Sequence, residues 1–142
     1  QSLIQPQLNV HIVKSNTYAL LKHSKAALVA SGTATLETAL LNVPQVVCYK
    51  GSSITYALAK FFVKIKFIAL VNLIMEKEVV KELIQDNLNT KNLVTELTKL
   101  LEDSKTQKQI NDDYAALKEI LMSGEKATDL AAEIIIETIQ KK

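Results

Sequence analysis

The feature that most constrains the fold is the alternation of short apolar runs with helix-like segments in the first half of the chain. Residues 26–30 form an apolar run of the length of a buried strand, and a helix is predicted from about Thr33 to Leu41. Asn42-Val43-Pro44 breaks the pattern, and Gln45 to Tyr49 is a second run rich in β-branched residues. Because strands separated by helices need crossover connections, the alternation predicts an α/β fold with a parallel sheet.

Weaker signals flank these elements. Val10 to Val13 is a candidate strand, and Asn16 is a candidate N-cap for a helix that runs through Leu21. A helix is expected over residues 55–65, and a further short strand over residues 66–71, ending at Asn72.

The second half of the chain is predicted to be mainly helical from about Thr90 onward, because leucine and isoleucine recur at helical spacing. One helix is expected to end near Ser123-Gly124, and a last one carries Ile134-Ile135-Ile136. No linker rich in proline, glycine or serine divides the sequence. We therefore expect one domain over residues 1–142, with an alternating part at 1–75 and a mainly helical part at 76–142.

Charge and cysteine content narrow the classes of function. The chain carries 17 lysines and no arginine against 15 acidic residues, a net charge of +2, so a nucleic-acid partner is not expected. Without arginine, the chain has no guanidinium to grip phosphate in a bidentate way. Cys48 is the single cysteine and is interpreted as a buried apolar residue. His11 and His23 lack a metal-ligand spacing, and we expect neither a metal nor a cofactor.

The longest apolar stretch, Ile54 to Met75, contains Lys60, Lys64 and Lys66, which argues against a membrane span. Phenylalanines interleaved with these lysines fit contact with an anionic membrane surface, but a core helix with lysines at its rim is the favoured interpretation. The first ten residues lack the basic start and apolar core of a signal peptide.

The turn Ser31-Gly32-Thr33 joins the first predicted strand to the helix after it. Backbone N–H groups at the start of a helix favour an anion, and a glycine lets a ligand approach the backbone closely. Glu37 lies one helical turn after Thr33, where a carboxylate can accept hydrogen bonds from two neighbouring hydroxyls. An ordinary strand-to-helix turn with a capping residue explains the same triplet.

The surroundings of this turn resemble a known family. The stretch ASGTATLETALLNVPQVVCYK, residues 30–50, is similar to the UDP-sugar half of lipid-A-disaccharide synthases, which are glycosyltransferases of the two-domain GT-B type. Tyr56-Ala57-Leu58-Ala59-Lys60 and Val63-Lys64 match the Y/F-x-L-A-K and V-K of the family. Residues 69–74 resemble its Leu-Pro-Asn-Leu-Leu segment, and residues 79–85 its Pro-Glu-Leu-Leu-Gln segment. The similarity runs from about Tyr18 to the C-terminus.

The resemblance implies an incomplete Rossmann-like parallel sheet followed by a helical segment, the C-terminal half of a GT-B fold. It also implies roles for nine residues. Ser31, Gly32 and Thr33 bind the donor diphosphate, and Glu37 binds its ribose. Asn72 and Tyr49 lie near the same site, and weaker roles fall to Lys77, Glu82 and Gln85. Two sites depart from the family pattern. Val71 replaces a usual proline, and Glu76-Lys77 replaces a Gly-Arg or Asp-Arg pair, so Lys77 keeps the charge without the guanidinium fork.

The reaction implied is transfer of 2,3-diacylglucosamine from its UDP conjugate to 2,3-diacylglucosamine 1-phosphate, with release of UDP, an early step of lipid A synthesis. The resemblance further implies a cytoplasmic enzyme peripheral to the inner membrane of a Gram-negative bacterium. The chain is expected to be a fragment that lacks the N-terminal domain, which supplies most of the acceptor site and the general base, and to be inactive alone. No catalytic residue is assigned within it, and a homodimer through the C-terminal helices is compatible with the sequence.

Two other classes of function remain open from the sequence. One is the UDP-sugar-binding half of a different GT-B enzyme, such as a peptidoglycan-precursor transferase or a UDP-sugar epimerase. The other is a non-enzymatic α/β module whose helical tail docks a partner through an exposed apolar stripe.

Overall fold

The computed structural model describes residues 9–51 and 66–123. In these ranges a three-stranded parallel sheet of order β1-β2-β3 is combined with five α-helices. The elements, in chain order, are α1 (Thr17–Lys22), β1 (Ala27–Ala30), α2 (Ala34–Leu40), β2 (Gln45–Tyr49), α3 (Leu70–Met75), β3 (Lys81–Ile84), a 3₁₀ turn (Gln85–Asn87), α4 (Thr90–Glu102) and α5 (Ser104–Ser123).

The register brings the carboxyl ends of all three strands to one edge of the sheet, here called the carboxyl edge. Ala30 lies opposite Cys48, and Cys48 lies opposite Leu83. The N–H of Ser31 donates to the Cys48 carbonyl at 3.3 Å and so extends the ladder one residue beyond β1. The opposite edge, where the strands begin, is the amino edge. The prediction of an α/β fold with a partial Rossmann-like parallel sheet is confirmed.

The core is built around the central strand β2. Val46 and Val47 are both fully buried although successive strand residues point to opposite faces, so the sheet is covered on both sides. At the start of β2 the Nε2 of Gln45 donates to the hydroxyl of Tyr114 in α5 at 3.2 Å, and that hydroxyl donates to the Val43 carbonyl at 3.3 Å. Burial raises the pKa of Tyr114 to about 12. This buried polar cluster fixes α5 to the amino edge.

The long helices begin where the sequence supplies a cap. The Asn89 side chain accepts the N–H of Asn92 at 3.0 Å and caps α4, which begins at Thr90 as expected. Asp103, between α4 and α5, accepts the Thr106 hydroxyl at 2.6 Å and the Lys105 N–H at 3.0 Å. Both hydrogen bonds hold the pKa of the Asp103 carboxyl below its usual value, with the Thr106 hydroxyl as the larger cause.

Two predicted strands are wrong. Val10 to Val13 are exposed and pair with no strand among the described residues. Residues 66–69 form no strand, and Leu70–Met75 is the helix α3 instead of the end of a strand. The third strand is Lys81–Ile84, within the part expected to be mainly helical. Pairing with β2 makes this segment a strand, because Val46 to Tyr49 offer it a complete set of partners.

Three predictions lie outside the described residues. These are the helix over residues 55–65, the glycine at the end of α5, and the last helix with its isoleucine run. The helices at Thr17–Lys22 and Ala34–Leu40 and the strands at Ala27–Ala30 and Gln45–Tyr49 confirm the predicted elements there. None of the helices in the described ranges is both long enough and apolar enough to cross a bilayer.

Candidate functional site

The turn Ser31-Gly32-Thr33 lies at the carboxyl edge, between the last residue of β1 and the start of α2. Ser31 is half-buried, whereas Gly32 and Thr33 are exposed. Gly32 has a φ of +144°, a backbone conformation that favours glycine over every residue with a Cβ. The turn closes through the Gly32 carbonyl, which accepts the N–H of Thr35 at 3.2 Å and its hydroxyl at 2.8 Å. The glycine is therefore required by the chain reversal itself.

The space above Gly32 is open. A Cβ built on Gly32 meets no heavy atom within 4 Å. In the described part of the chain no acceptor is bonded to the N–H of Gly32 or of Thr33. Thr33 occupies the N-cap position of α2 without a side-chain cap, so its hydroxyl is also uncommitted there. Such a group of neutral donors next to open space is suited to an oxyanion.

Glu37 stands one turn further along α2 and is half-buried. Its side chain lines a cavity of about 390 Å³ between α1, β1 and α2, together with Thr17, Leu20 and Ser24. The Glu37 carboxylate also lies beside the hydroxyl of Tyr18, whose pKa it raises. The carboxylate thus lies beside a cleft that runs along β1 and reaches Ala30 and Ala34, on either side of the turn, with Thr17 of α1 also in its lining.

The ends of β2 and β3 are tied together near the turn. Tyr49 ends β2 with 38% of its surface exposed, and its ring lies against Gly51, so close that a Cβ there would come within 2.7 Å of the Tyr49 hydroxyl. Gln85, directly after β3, donates from its Nε2 to the Gly51 carbonyl at 3.2 Å. Gln85 has a φ of 51°, which turns the chain away from the sheet. Tyr49 and Gln85 therefore lie at the same edge of the sheet as the turn, at the ends of the two strands that follow β1 in the sheet order.

Asn72, unlike the predicted site residues at the carboxyl edge, is fully buried, and it lies within α3. Its Oδ1 accepts the N–H groups of Val79 and Val80 at 2.8 and 2.9 Å. Its Nδ2 donates to the Val80 carbonyl and to Oε1 of Glu82, both at 2.8 Å. The amide therefore uses all its hydrogen-bonding capacity within the protein.

Glu82 of β3 is half-buried and its carboxylate collects backbone N–H groups. Ile68 donates to its Oε1 at 3.2 Å and to its Oε2 at 3.0 Å, and Ala69 donates to Oε1 at 3.0 Å. The carbonyl of Ile68 in turn faces the Ser31 hydroxyl at 3.5 Å. Residues 68–69 thereby connect Glu82 to the turn, a contact that the sequence analysis missed.

Lys77 lies at the amino edge, between the end of α3 and the start of β3. Its Nζ is 2.6 Å from Oδ1 of Asp113, a largely buried carboxylate of α5 that also accepts the side-chain N–H of Gln109 at 3.2 Å. Asp113 precedes Tyr114, whose hydroxyl is bonded to the start of β2. The strands thus separate Lys77 from the Ser31 turn.

Of the nine predicted residues, the structure gathers six at or near the carboxyl edge: Ser31, Gly32, Thr33, Glu37, Tyr49 and Gln85. Glu82 and Asn72 lie behind that group, and Lys77 is on the opposite edge. In the described ranges, no group of three or more His, Cys, Asp and Glu side chains is arranged to hold a metal ion. The carboxyl edge thus offers hydroxyl and backbone donors, one carboxylate and one aromatic ring.

Comparison of the sequence with known proteins identifies a family that it matches. The sequence model of the lipid-A-disaccharide synthetase family matches residues 1–136. Lipid-A-disaccharide synthase of Colwellia psychrerythraea is 36% identical over 98% of this chain and 34% of its own length. The enzymes of the same name from Psychromonas ingrahamii and Koribacter versatilis are 38% and 34% identical, each over the whole of this chain and over 36% and 38% of their own lengths. The chain thus spans about a third of these relatives.

Proposed function

The chain belongs to the lipid-A-disaccharide synthetase family, and on that premise we propose that it forms the donor-binding part of a glycosyltransferase of lipid A synthesis. The donor is UDP-2,3-diacylglucosamine, and the acceptor is 2,3-diacylglucosamine 1-phosphate. The transfer forms a β-1,6 disaccharide with inversion at the anomeric carbon and releases UDP. The family match over residues 1–136 is the observation that carries this proposal.

The geometry of the carboxyl edge supports a nucleotide site. In open parallel sheets ligands bind outside the carboxyl ends of the strands, and the residues implied by the resemblance are concentrated there. We assign the diphosphate to Ser31, Gly32 and Thr33, where the N–H groups of Gly32 and Thr33 and the Thr33 hydroxyl have no partner among the described residues and the space above Gly32 is open. Glu37, which lines the cleft beside α1, receives the ribose hydroxyls. Tyr49 and Gln85 lie at the same edge of the sheet, at the ends of β2 and β3.

Glycosyl transfer also needs a base that deprotonates the acceptor hydroxyl and groups that stabilise the departing diphosphate. The turn supplies donors for the diphosphate. We assign the base and most of the acceptor site to the remaining two-thirds of the length found in the relatives, and we expect the 142-residue chain alone to transfer no sugar. By the same resemblance we place the whole enzyme in the cytoplasm at the inner membrane of a Gram-negative bacterium, with dimerisation through the C-terminal helices.

The test is an amide NMR titration of the chain with UDP, with UMP as the matched ligand that has one phosphate fewer. We expect shifts concentrated at Gly32, Thr33, Glu37 and Tyr49, and tighter binding of UDP than of UMP. Residues of the amino edge such as Lys77 and Glu78 serve as the internal control and should stay unshifted. A folded chain that shows no shift at millimolar UDP, or equal affinity for the two nucleotides, would contradict the assignment of the diphosphate to this turn.

A further inference from the structure

We propose that Glu82 is a positioning residue of the donor site, which acts through the Ile68–Ala69 peptide on the Ser31 turn and touches no ligand itself. The inference rests on the proposed function, because it takes the turn as the diphosphate site. Glu82 also lies in a family motif, and that position alone would equally allow it to bind the ligand directly. The inference is that it does not bind the ligand and acts only through the protein.

The carboxylate of Glu82 is occupied by the protein. Its two oxygens accept the N–H of Ile68 at 3.2 and 3.0 Å, the N–H of Ala69 at 3.0 Å and the Nδ2 of Asn72 at 2.8 Å. All three donors are uncharged and belong to the segment that enters α3 or to α3 itself. The carboxylate thereby fastens the start of this helix to the middle of β3.

An ionised carboxylate suits this position better than an amide. It accepts through both oxygens, and both are used by the Ile68 N–H. A glutamine of the same size keeps one acceptor oxygen, and its NH₂ group turns a donor toward another donor. At least one of the four contacts is then lost, and residues 68–69 are held less firmly.

The Ile68–Ala69 peptide transmits this constraint to the turn. Its N–H, that of Ala69, donates to Oε1 of Glu82 at 3.0 Å, and its carbonyl, that of Ile68, faces the Ser31 hydroxyl at 3.5 Å. That distance is at the long limit of a hydrogen bond, so the hydroxyl is steered by the carbonyl but remains available to a phosphate oxygen. Displacement of this peptide therefore alters the hydroxyl donor that Ser31 presents to the diphosphate. The contacts of the protein with the uracil and the ribose, which lie further from the peptide, are unaffected.

The experiment compares the wild-type chain with Glu82→Gln, and with Glu78→Gln as the matched control. Glu78 is an exposed carboxylate that pairs with Lys81 at 3.1 Å and lies at the amino edge. The Kd values for UDP and for uridine are measured by amide titration, alongside the free energy of unfolding in urea. We expect Glu82→Gln to raise the Kd for UDP at least fivefold and that for uridine less than twofold. Glu78→Gln should change neither.

The ratio of the two Kd values separates positioning from general loosening. A merely structural role for Glu82 raises both Kd values alike and leaves the ratio unchanged, which overturns the inference, as does an unchanged UDP affinity. A wild-type chain that binds UDP no better than uridine refutes the proposed function and the inference with it. If Glu82→Gln does not fold, Glu82→Asp takes its place, since it keeps the charge but is one methylene too short to reach all three donors. The same loss of the UDP-to-uridine preference is expected.

Discussion

At the scale of single residues, Gly32 is the position whose backbone conformation most strongly favours glycine. Its φ of +144° is costly for any residue with a Cβ, yet the space around it is empty. Replacing Gly32 with alanine should therefore destabilise the chain by about 1–2 kcal/mol through backbone strain alone. Urea denaturation measures this loss.

Gly51→Ala is the matched control for that substitution. Gly51 has no positive φ, and the atoms its Cβ would meet belong to the end of the Tyr49 side chain, which can turn aside. We expect a smaller loss of stability than at Gly32, with a displaced Tyr49 ring visible as changed ring-proton shifts. Equal losses at both glycines would show that φ is not the cause at Gly32.

Tyr114 makes stability depend on pH in the alkaline range. Its pKa is about 12 in the folded chain, where burial disfavours the phenolate, and about 10 in an unfolded chain. The folded state therefore keeps a proton that the unfolded state loses, and its stability falls as pH rises from 10 toward 12. Between pH 9 and 11 the loss should be roughly 1 kcal/mol.

The comparison with Tyr114→Phe isolates this effect from the other tyrosines and lysines that titrate in the same range. The variant lacks the phenol and should show a shallower decline of unfolding free energy over pH 9–11. It should also be less stable at neutral pH, because the Val43 carbonyl and the Gln45 amide lose a buried partner. Parallel pH curves for the two proteins would contradict a raised pKa at Tyr114.

At the scale of elements, Asn72 holds the connection between α3 and β3. Its side chain bonds the N–H groups of Val79 and Val80, the Val80 carbonyl and the Glu82 carboxylate. Asn72→Ala leaves these buried groups without partners, and we expect a loss of at least about 3 kcal/mol in urea denaturation. Asn111→Ala, on the exposed side of α5, is the control and should leave stability unchanged within about 0.5 kcal/mol. A small effect at Asn72 would mean that water replaces its contacts.

The elements that the sequence predicts correctly are those with local signals. The apolar run before Ser31, the glycine turn and the proline at 44 mark β1, α2 and β2 without reference to the rest of the chain. The strand Lys81–Ile84 is different, because Lys81 and Glu82 interrupt its apolar pattern and only pairing with β2 defines it. The segment at 66–71 reads as a strand by composition, but the contacts of Glu82 and Asn72 stabilise α3 instead.

The candidate site shows the same division. Ser31, Gly32 and Thr33 are predictable because a strand, a glycine and a helix follow one another in the sequence. Glu82 and Asn72 are found by their motifs, but their contacts depend on residues brought together by the fold, and no spacing rule indicates a carboxylate that accepts the Ile68 N–H. A sequence pattern thus names such residues without distinguishing a ligand contact from a support behind it.

At the scale of the whole molecule, the two edges of the sheet differ in exposure and in how their polar groups are bonded. The carboxyl edge is open at Gly32 and carries uncommitted donors, whereas the amino edge is closed by α5 through Tyr114, Gln45 and the ion pair of Lys77 with Asp113. The hydroxyl of Tyr114, the Nε2 of Gln45 and the Lys77–Asp113 pair all find partners at the closed edge, whereas the Oε1 of Gln45 is buried there with no partner among the described residues. This division of the sheet favours ligand binding at the carboxyl edge and structural roles at the amino edge.

Lys77 tests this division, because the resemblance implies a phosphate role for it while the fold places it at the closed edge. Its ammonium is 2.6 Å from Asp113, whose side chain is only 10% exposed, so removal of the cation leaves a largely buried carboxylate with Gln109 as its remaining partner. Lys77→Ala should lower the unfolding free energy by about 1 kcal/mol and leave the Kd for UDP within twofold of wild type.

Lys99→Ala is the matched control, since it breaks an exposed pair with Glu96 at 2.8 Å and should lower the unfolding free energy by less than about 0.5 kcal/mol. A stable Lys77→Ala chain with UDP binding weakened tenfold would instead move the diphosphate toward the amino edge, because a lysine fixed to α5 reaches a ligand only there.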